Sequence, residues 1–229
     1  MTIEIVVFDA YGTLFDVTAA AREAAAEEGF EILIEHGAAL AETWRQKQLS
    51  YSWLRAAYGV HTDFWSVTSD ALDYALELHG LDTHPKLRER LLQLYWELRP
   101  FDEVPRVLNN LRAAGLRVAI LSNGSAEMLE GAVENANLQA MFDAILSADQ
   151  VGVFKPHRTV YDLVEQCFGL PRRKILFVSS NGWDAAFATG YGFRTVWVNR
   201  KGEPVDRLPF KPEFMAENLS RIPHTAAEL

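Results

Sequence analysis

The sequence alternates short apolar runs with longer stretches of helical periodicity, and this alternation limits the possible folds more than any other feature. The first run covers residues 3–8, is rich in β-branched side chains and leads directly into Asp9. Four runs of comparable length follow, at residues 116–121, 144–146, 175–178 and 195–198. Helical patterns of about 10 to 15 residues separate most of them. Repeated strand–helix–strand units of this kind predict an α/β fold with a Rossmann-like, doubly wound parallel sheet.

One long segment breaks this alternation, because it contains several helical patterns and no convincing strand. We therefore expect a helical cap domain at residues 16–99, inserted into a core domain formed by residues 1–15 and 100–229. Within the predicted cap, helical spacing places Trp44, Gln48 and Tyr51 on one stripe. The same spacing places Arg45 and Leu49 on a neighbouring stripe.

Charge and composition exclude several classes of protein. The 22 basic and 31 acidic residues give a formal charge of -9, which argues against nucleic-acid binding, since that requires a basic surface. Hydrophobic residues make up 49% and charged residues 23%, as is typical of a folded globular protein. No apolar run approaches the ~18 residues that a membrane span needs, and the first residues lack the features of a signal peptide. We therefore expect a cytoplasmic protein without a membrane partner.

Cys167 is the only cysteine in the chain. A single cysteine rules out an intramolecular disulfide and a cysteine cluster that binds a metal. We expect Cys167 to be a small residue of the hydrophobic core.

Polar clusters follow four of the apolar runs. In an open α/β sheet, ligands bind beyond the carboxyl ends of the strands, so these clusters are the first candidates for chemistry: residues 9–13, 122–124, 155–156 and 179–184. Each cluster alone resembles ordinary turn and helix-cap sequence. Together they place two carboxylates, one ammonium and several amides and hydroxyls at one edge of the sheet. A carboxylate beside a lysine stays ionised and nucleophilic, and Gly12 and Gly124 would let backbone N–H groups approach an anion closely.

The order of these motifs, DxxGT, SNG, KP and SSNxxD, resembles the haloacid dehalogenase superfamily. That superfamily combines a Rossmann-like core with a cap inserted after the first strand. Most of its members are Mg²⁺-dependent phosphatases in which an acid two residues after the nucleophile is the general acid. Here that position is Tyr11, whose pKa does not suit a general acid. The departure points to the subgroup that resembles L-2-haloacid dehalogenases, which implies no metal and no other cofactor.

Further segments are similar to that subgroup and extend the resemblance from Asp9 to about Asn199. They are DAYGTLFDV, WRQKQLSYSWLR, DFWSVT, ILSNG, VFKPH and FVSSNGWD. The tail beyond Arg200 matches nothing useful. The resemblance implies a hydrolytic enzyme that converts small halogenated carboxylic acids, the (S)-2-haloacids, to (R)-2-hydroxy acids and halide.

The resemblance also implies a role for each residue of the predicted site. Asp9 would attack C2 of the substrate, displace halide with inversion and leave an ester that water then hydrolyses. Arg45 would stabilise the departing halide, with Asn123 and Trp183 in the same cradle. Ser122 would hold the substrate carboxylate together with the backbone N–H groups that follow Asp9, those of Ala10 and Tyr11.

The remaining residues would support this chemistry. Thr13 would orient Asp9, and Lys155 would compensate the negative charge of the site. Asp184 would position or deprotonate the hydrolytic water, with Ser179 and Asn181 beside it. The resemblance also suggests Tyr161 as a polar contact. The site would be walled by Gln46, Leu49, Phe64 and Trp183, although these residues could equally be plain packing.

Two other interpretations stay open from the sequence. One is a phosphatase of the same superfamily, which would need Mg²⁺ and a proton donor at the position of Tyr11. The other is a catalytically silent binding module that keeps only the fold, although such a module would be expected to lack Asp9, Lys155 or Asp184. By resemblance we also expect a homodimer formed through the cap.

Overall fold

The structure is a computed structural model and describes residues 2–229. Its centre is one parallel sheet of six strands in the order β3-β2-β1-β4-β5-β6. The strands are β1 (Ile5–Phe8), β2 (Arg117–Ser122), β3 (Ala144–Ser147), β4 (Ile175–Ser179), β5 (Arg194–Val198) and β6 (Phe214–Ala216). The predicted α/β fold is therefore confirmed, and all five predicted strands are present within two residues of their expected ends.

The strand order explains where a ligand should bind. From β1 the chain winds outward through β2 and β3, and it then returns to the other side of β1 to form β4, β5 and β6. The winding direction thus reverses between β1 and β4, and this reversal leaves a crevice at the carboxyl ends of these two strands. Asp9 follows β1 and residues 179–184 end or follow β4, so both polar clusters border the crevice.

Strand β1 is buried on both faces. All four residues from Ile5 to Phe8 are fully buried, as expected for the central strand of a parallel sheet with helices on both sides. This explains why the sequence is a continuous apolar run and does not alternate. The strand gives Asp9 a rigid base next to the crevice.

Helices account for more than half of the remaining described residues. Four lie within residues 16–99: α1 (Ala19–Ala24), α2 (Ile32–Tyr58), α3 (Phe64–Leu78) and α4 (Pro85–Trp96). Five accompany the sheet: α5 (Val104–Ala113), α6 (Ala126–Asn135), α7 (Arg158–Phe168), α8 (Gly182–Tyr191) and α9 (Ile222–Glu228). The sequence analysis did not anticipate β6 or α9, because both lie in the tail that resembled nothing.

Helices α1 to α4 pack mainly against one another. Helix α2 packs along α3 and against α1, and α1 packs against α4. The chain enters and leaves this helical region through two paired segments, in which Asp16 N–H donates to Arg99 O at 3.0 Å and Phe101 N–H donates to Leu14 O at 3.0 Å. The division into a cap and a core at these segments stays a prediction.

Two further observations concern expectations from the sequence. Within residues 2–229, no helix is long and apolar enough to cross a membrane. The prediction that Cys167 belongs to the core is wrong, because its side chain is exposed. Helix α7 buries Val160, Tyr161 and Val164, but Cys167 lies in the last turn beside exposed Gln166, on the solvent-facing side of the helix.

Candidate active site

Asp9 lies at the end of β1 with only 6% of its surface exposed. Its Oδ2 atom accepts hydrogen bonds from Thr13 Oγ1 and Asn181 Nδ2, both at 3.0 Å, and a longer one from Ser179 Oγ at 3.5 Å. Lys155 Nζ contacts the other oxygen, Oδ1, at 3.2 Å. The carboxylate is therefore held mainly by Oδ2, and among the described residues Oδ1 has no donor besides Lys155.

Lys155 is the cation at the centre of the site. Its side chain is 1% exposed, and the ammonium donates to Asp9 Oδ1, to Asp184 Oδ2 at 2.9 Å and to the Leu121 carbonyl oxygen at 2.6 Å. Burial opposes the charged form, but the charges of Asp184 and Asp9 outweigh it and raise the pKa of Lys155 above its ordinary value. With all three hydrogens engaged, the ammonium neutralises the two carboxylates and has no hydrogen left for a ligand.

Asp184 is the second buried carboxylate, on the first turn of α8. Oδ1 accepts from the Tyr161 hydroxyl at 2.7 Å, and Oδ2 accepts from Lys155. Burial raises the pKa of Asp184 above its ordinary 3.8, Lys155 lowers it, and the charge of Asp9 raises it again. The pKa of Tyr161 is raised well above 10, chiefly by burial, so this phenol stays a hydrogen-bond donor. The site therefore contains two carboxylates: Asp9, which hydrogen bonds fix in place, and Asp184, whose pKa is raised.

Arg45 reaches the site from the middle of α2. Its Nη1 donates to Gln48 Oε1 at 2.7 Å, and its Nη2 donates to Asn181 Oδ1 at 3.2 Å. A longer contact of 3.5 Å joins Nη2 to the Tyr11 carbonyl oxygen. Asn181 thus contacts both Arg45 through Oδ1 and Asp9 through Nδ2. The Asn181 amide therefore lies between the Arg45 guanidinium and the Asp9 carboxylate.

Several donors near Asp9 have no acceptor within the chain that the structure describes. They are the backbone N–H groups of Ala10 and Tyr11, the Ser122 hydroxyl and the Asn123 side-chain amide nitrogen. Ser122 Oγ accepts from Gly124 N–H at 3.2 Å, and Asn123 Oδ1 accepts from Lys155 N–H at 2.8 Å, so the two side chains are fixed by their oxygen atoms. Gly12 N–H instead donates to Phe15 O at 2.7 Å. These free donors form a set that suits a small anion.

Tyr11 fills the space between the sheet and the helices above it. Its ring lies 6.2 Å from the ring of Phe64 and 5.3 Å from that of Tyr95, measured between centroids. A Cβ on Gly124 would lie 2.6 Å from Tyr11 Cε2, so this close approach requires glycine. Burial raises the pKa of Tyr11 well above 10, and its hydroxyl has no partner among residues 2–229.

A cavity of about 440 Å³ lies next to these residues. Its wall includes Arg45, Gln46, Leu49, Asn181 and Trp183. Gln46 is exposed at the rim and donates to Glu42 at 2.8 Å, whereas Trp183 packs edge-on against Trp53. Ser122, Asn123 and Phe64 are buried and do not line this cavity. Arg45 and Asn181 form the part of its wall nearest to Asp9.

The structure adds residues that the sequence analysis did not select for the site. Ser180 donates its backbone N–H to Thr13 Oγ1 at 2.8 Å, and its hydroxyl lies 3.0 Å from the same atom. The only signal for Ser180 was its position within a polar cluster. Gln48 contacts Arg45, and its signal was a polar residue on the same helical stripe as Trp44.

The comparisons with known proteins agree with this fold and site. A family described as haloacid dehalogenase-like hydrolase matches residues 3–192. The match spans strands β1 to β4 and the polar residues at their carboxyl ends. The chain belongs to the haloacid dehalogenase-like hydrolase family.

Individual relatives match over nearly the full chain. The (S)-2-haloacid dehalogenase of Pseudomonas sp. strain YL is 42% identical over 217 residues, which cover 95% of this chain and 91% of that protein. The (S)-2-haloacid dehalogenase of Pseudomonas fluorescens is 40% identical over 216 residues, covering 94% and 93%. A structure of the L-2-haloacid dehalogenase of Xanthobacter autotrophicus with covalently bound chloropropionic acid has a TM-score of 0.85 and 37% identity, covering 97% and 98% of the two chains.

Proposed function

We propose that this protein is a hydrolytic (S)-2-haloacid dehalogenase that produces (R)-2-hydroxy acids and halide through an ester on Asp9. The observation that carries this function is the environment of Asp9. One carboxylate oxygen is fixed by Thr13 and Asn181, while the other contacts only Lys155 and is free to attack. The names of the relatives and the covalent adduct in the Xanthobacter autotrophicus structure support the same chemistry.

In the first half of the reaction, Asp9 displaces halide. Oδ1 attacks C2 from the side opposite the halogen, so the new C–O bond forms as the carbon–halogen bond breaks, and the configuration at C2 inverts. The halide leaves with the electron pair of the broken bond, and the product is an ester between Asp9 and the acid. Thr13 and Asn181 keep the attacking group in line, which removes much of the entropic barrier.

The departing halide gains negative charge in the transition state and needs donors at the place where it leaves. Arg45 supplies a cation beside Asn181, and the Asn123 amide nitrogen and Trp183 complete the proposed cradle. The substrate carboxylate would bind the free donors near Asp9, which are the Ser122 hydroxyl and the N–H groups of Ala10 and Tyr11. Phe64, Leu49 and Gln46 would bound the space around the carbon chain.

In the second half of the reaction, water hydrolyses the ester. Asp184 accepts a proton from the water, whose oxygen attacks the carbonyl carbon of esterified Asp9. The tetrahedral intermediate then releases the hydroxy acid, whose new oxygen came from Asp9. The leaving alkoxide takes up the proton that Asp184 accepted, and the re-formed Asp9 carboxyl loses the second water proton to solvent. Tyr161 and Lys155 hold Asp184 through one hydrogen bond to each of its oxygens. Ser179 fixes the following loop by accepting from Asn181 N–H at 3.1 Å.

The two alternative functions fit the site less well. A phosphatase of this family needs a proton donor two residues after the nucleophile, and Tyr11 has a pKa raised well above 10 by burial, too high for an efficient acid at neutral pH. A silent binding module would not need Asp9, Lys155 and Asp184 in mutual contact, since bringing two buried carboxylates together costs free energy.

Halide release from both enantiomers of 2-chloropropionate, with and without EDTA, tests the proposed function. We expect turnover of the (S)-enantiomer to the (R)-2-hydroxy acid, little turnover of the (R)-enantiomer and no effect of the chelator. Equal rates on the two enantiomers would contradict the pocket. Loss of activity in EDTA that Mg²⁺ restores would instead favour the phosphatase chemistry.

We also propose that residues 16–99 form a cap domain on a core of residues 1–15 and 100–229, and that two copies associate through the cap. Support comes from apolar side chains exposed on the adjacent helices α2 and α3: Leu54, Tyr58, Tyr74 and Leu78. Light scattering at increasing concentration should give twice the monomer mass. Leu54→Glu should shift this mass toward the monomer. The cytoplasmic location also stays a prediction.

A further inference from the structure

Gln48 is a buried amide on α2, 1% exposed and one helical turn after Arg45. Its Oε1 accepts from Arg45 Nη1 at 2.7 Å. Its Nε2 donates to Thr68 Oγ1 at 2.8 Å and to the Tyr95 hydroxyl at 2.9 Å. Gln48 therefore connects the guanidinium to two further helices, since Thr68 lies on α3 and Tyr95 on α4.

The direction of this hydrogen-bond chain follows from the groups themselves. A guanidinium only donates, so the amide oxygen of Gln48 must face Arg45 and the amide nitrogen must face Thr68. Thr68 Oγ1 gives its single hydrogen to Phe64 O at 2.7 Å, which leaves it able to accept from Gln48. Trp44 Nε1 donates to Thr68 O at 2.8 Å and holds α2 against α3. The Tyr95 hydroxyl also lies 3.2 Å from Gln48 Oε1, but the contacts of the amide with Arg45 and Thr68 fix its orientation.

Arg45 is oriented by this amide but keeps donors for a ligand. Its hydrogen bonds within residues 2–229 go to Gln48 and Asn181, with the longer contact to Tyr11 O. A guanidinium has five N–H groups, so at least two remain available. The acceptor on Gln48 is neutral, whereas a carboxylate in its place would cancel much of the positive charge of Arg45.

We propose that Gln48 is a positioning residue that orients the Arg45 guanidinium toward the departing halide without neutralising its charge. This inference rests on the proposed dehalogenase function, because it assigns Gln48 a part in the halide-releasing step. Gln48 lines the same cavity as Arg45, but among the described residues it makes no hydrogen bond to Asp9. Its effect passes through Arg45.

The first test is Gln48→Met, which keeps the side-chain length and removes the acceptor. Single-turnover halide release should slow by about 10- to 100-fold with (S)-2-chloropropionate, since a small misplacement of a catalytic group has an effect of this size. The loss should be smaller with (S)-2-bromopropionate, because bromide is the better leaving group and needs less stabilisation. Substrate affinity should change less than the rate.

Two further variants separate positioning from general loss of structure. Gln48→Glu keeps an acceptor for Arg45 but adds a negative charge, so it should also slow chloride release more than bromide release. Ser52→Ala is the matched control, because Ser52 is buried on the same helix and its hydroxyl donates to Leu49 O at 2.7 Å, without a contact to Arg45. This control should keep the wild-type ratio of bromide to chloride rates.

A double-mutant cycle with Arg45→Lys completes the test. In the Arg45→Lys background, Gln48→Met should have little further effect, because the group that it orients has been replaced. If the rate losses of Gln48→Met and Arg45→Lys were additive, the inference would be overturned. It would also be overturned if Gln48→Met slowed chloride and bromide release equally and lowered the melting temperature. An unchanged rate in Gln48→Met would also overturn it and leave the dehalogenase function intact. The function itself fails only if the wild-type protein releases no halide.

Discussion

Lys155 Nζ lies 2.9 Å from Oδ2 of Asp184, and both side chains are 1% exposed. The same ammonium lies 3.2 Å from Asp9, so one cation balances two buried carboxylates. This arrangement makes Lys155 essential to the charge balance of the site, although it has no hydrogen free to bind a substrate.

Lys155→Met should therefore lower stability as well as activity. Removing the ammonium leaves two carboxylates close together without a cation, and breaking a buried ion pair in this way typically costs about 3 to 5 kcal/mol. Urea unfolding at neutral pH measures the change in the free energy of unfolding. Lys201→Met is the control, because Lys201 is exposed and lies 3.8 Å from Glu42, and such a pair contributes at most about 1 kcal/mol. Equal stabilities for the two variants would contradict the role of Lys155.

The alkaline stability of the wild-type protein should report the same lysine. Burial alone would lower the pKa of Lys155, but the charges of Asp184 and Asp9 outweigh burial. They raise the pKa above the unfolded value of 10.5. Its stabilising contribution is therefore complete below pH 10.5 and is lost as the pH rises through the folded pKa. Lys155→Met should lack this contribution, so the difference in stability between wild type and variant should shrink at high pH.

The pH dependence of ester hydrolysis should depend on Asp184. Asp184 must be ionised to accept a proton from water, and burial raises its pKa above 3.8, so hydrolysis should slow on the acid side at a pH above that value. The charge of Asp9 also raises the pKa of Asp184, and esterification removes that charge. The pKa of Asp184 should therefore be lower in the ester than in the free enzyme.

Rapid quenching and mass spectrometry of the Asp9 peptide across this pH range give the rate of ester decay. Infrared titration of the Asp184 carboxyl gives its pKa in the free enzyme, for comparison with the pKa in the ester. Asp184→Asn should release one halide per enzyme and then accumulate the ester. A variant that still turns over at the wild-type rate would remove Asp184 from this step.

The fold could be predicted from the sequence more fully than the supporting contacts. Strands such as β1 are continuous apolar runs, and a few neighbouring residues are enough to recognise them. Because ligands in open sheets bind beyond the carboxyl ends of the strands, Asp9 and Asp184 could then be placed at the same edge of the sheet. Strand β6 has three residues and follows Pro212 closely, so it lacks a run long enough to detect. The role of Gln48 depends on a contact with Tyr95, 47 residues away, which helical periodicity cannot show.

Arg45→Lys should keep the fold and lose rate. A lysine ammonium on a different stem cannot reach Gln48 and Asn181 at once, as the planar guanidinium does. We expect a loss of at least about tenfold in single-turnover halide release, which corresponds to about 1.4 kcal/mol of barrier. Circular dichroism and the melting temperature should stay near the wild-type values. A near wild-type rate would remove Arg45 from the halide site.

The last prediction separates covalent catalysis by Asp9 from direct attack by an activated water, because both routes give the same net products. With enzyme in excess over substrate in heavy-oxygen water, the ester route transfers an Asp9 oxygen to the hydroxy acid and places solvent oxygen on Asp9. The product of the first turnover should therefore carry no label.

The peptide that contains Asp9 should gain one heavy oxygen, and the peptide that contains Asp184 serves as the internal control and should gain none. The contacts of Asp9 favour this result, because Thr13 and Asn181 fix Oδ2 and leave Oδ1 beside only Lys155. If the label appeared in the first product and not in the Asp9 peptide, Asp9 would be a general base, and Asp184 would lose its proposed role in ester hydrolysis.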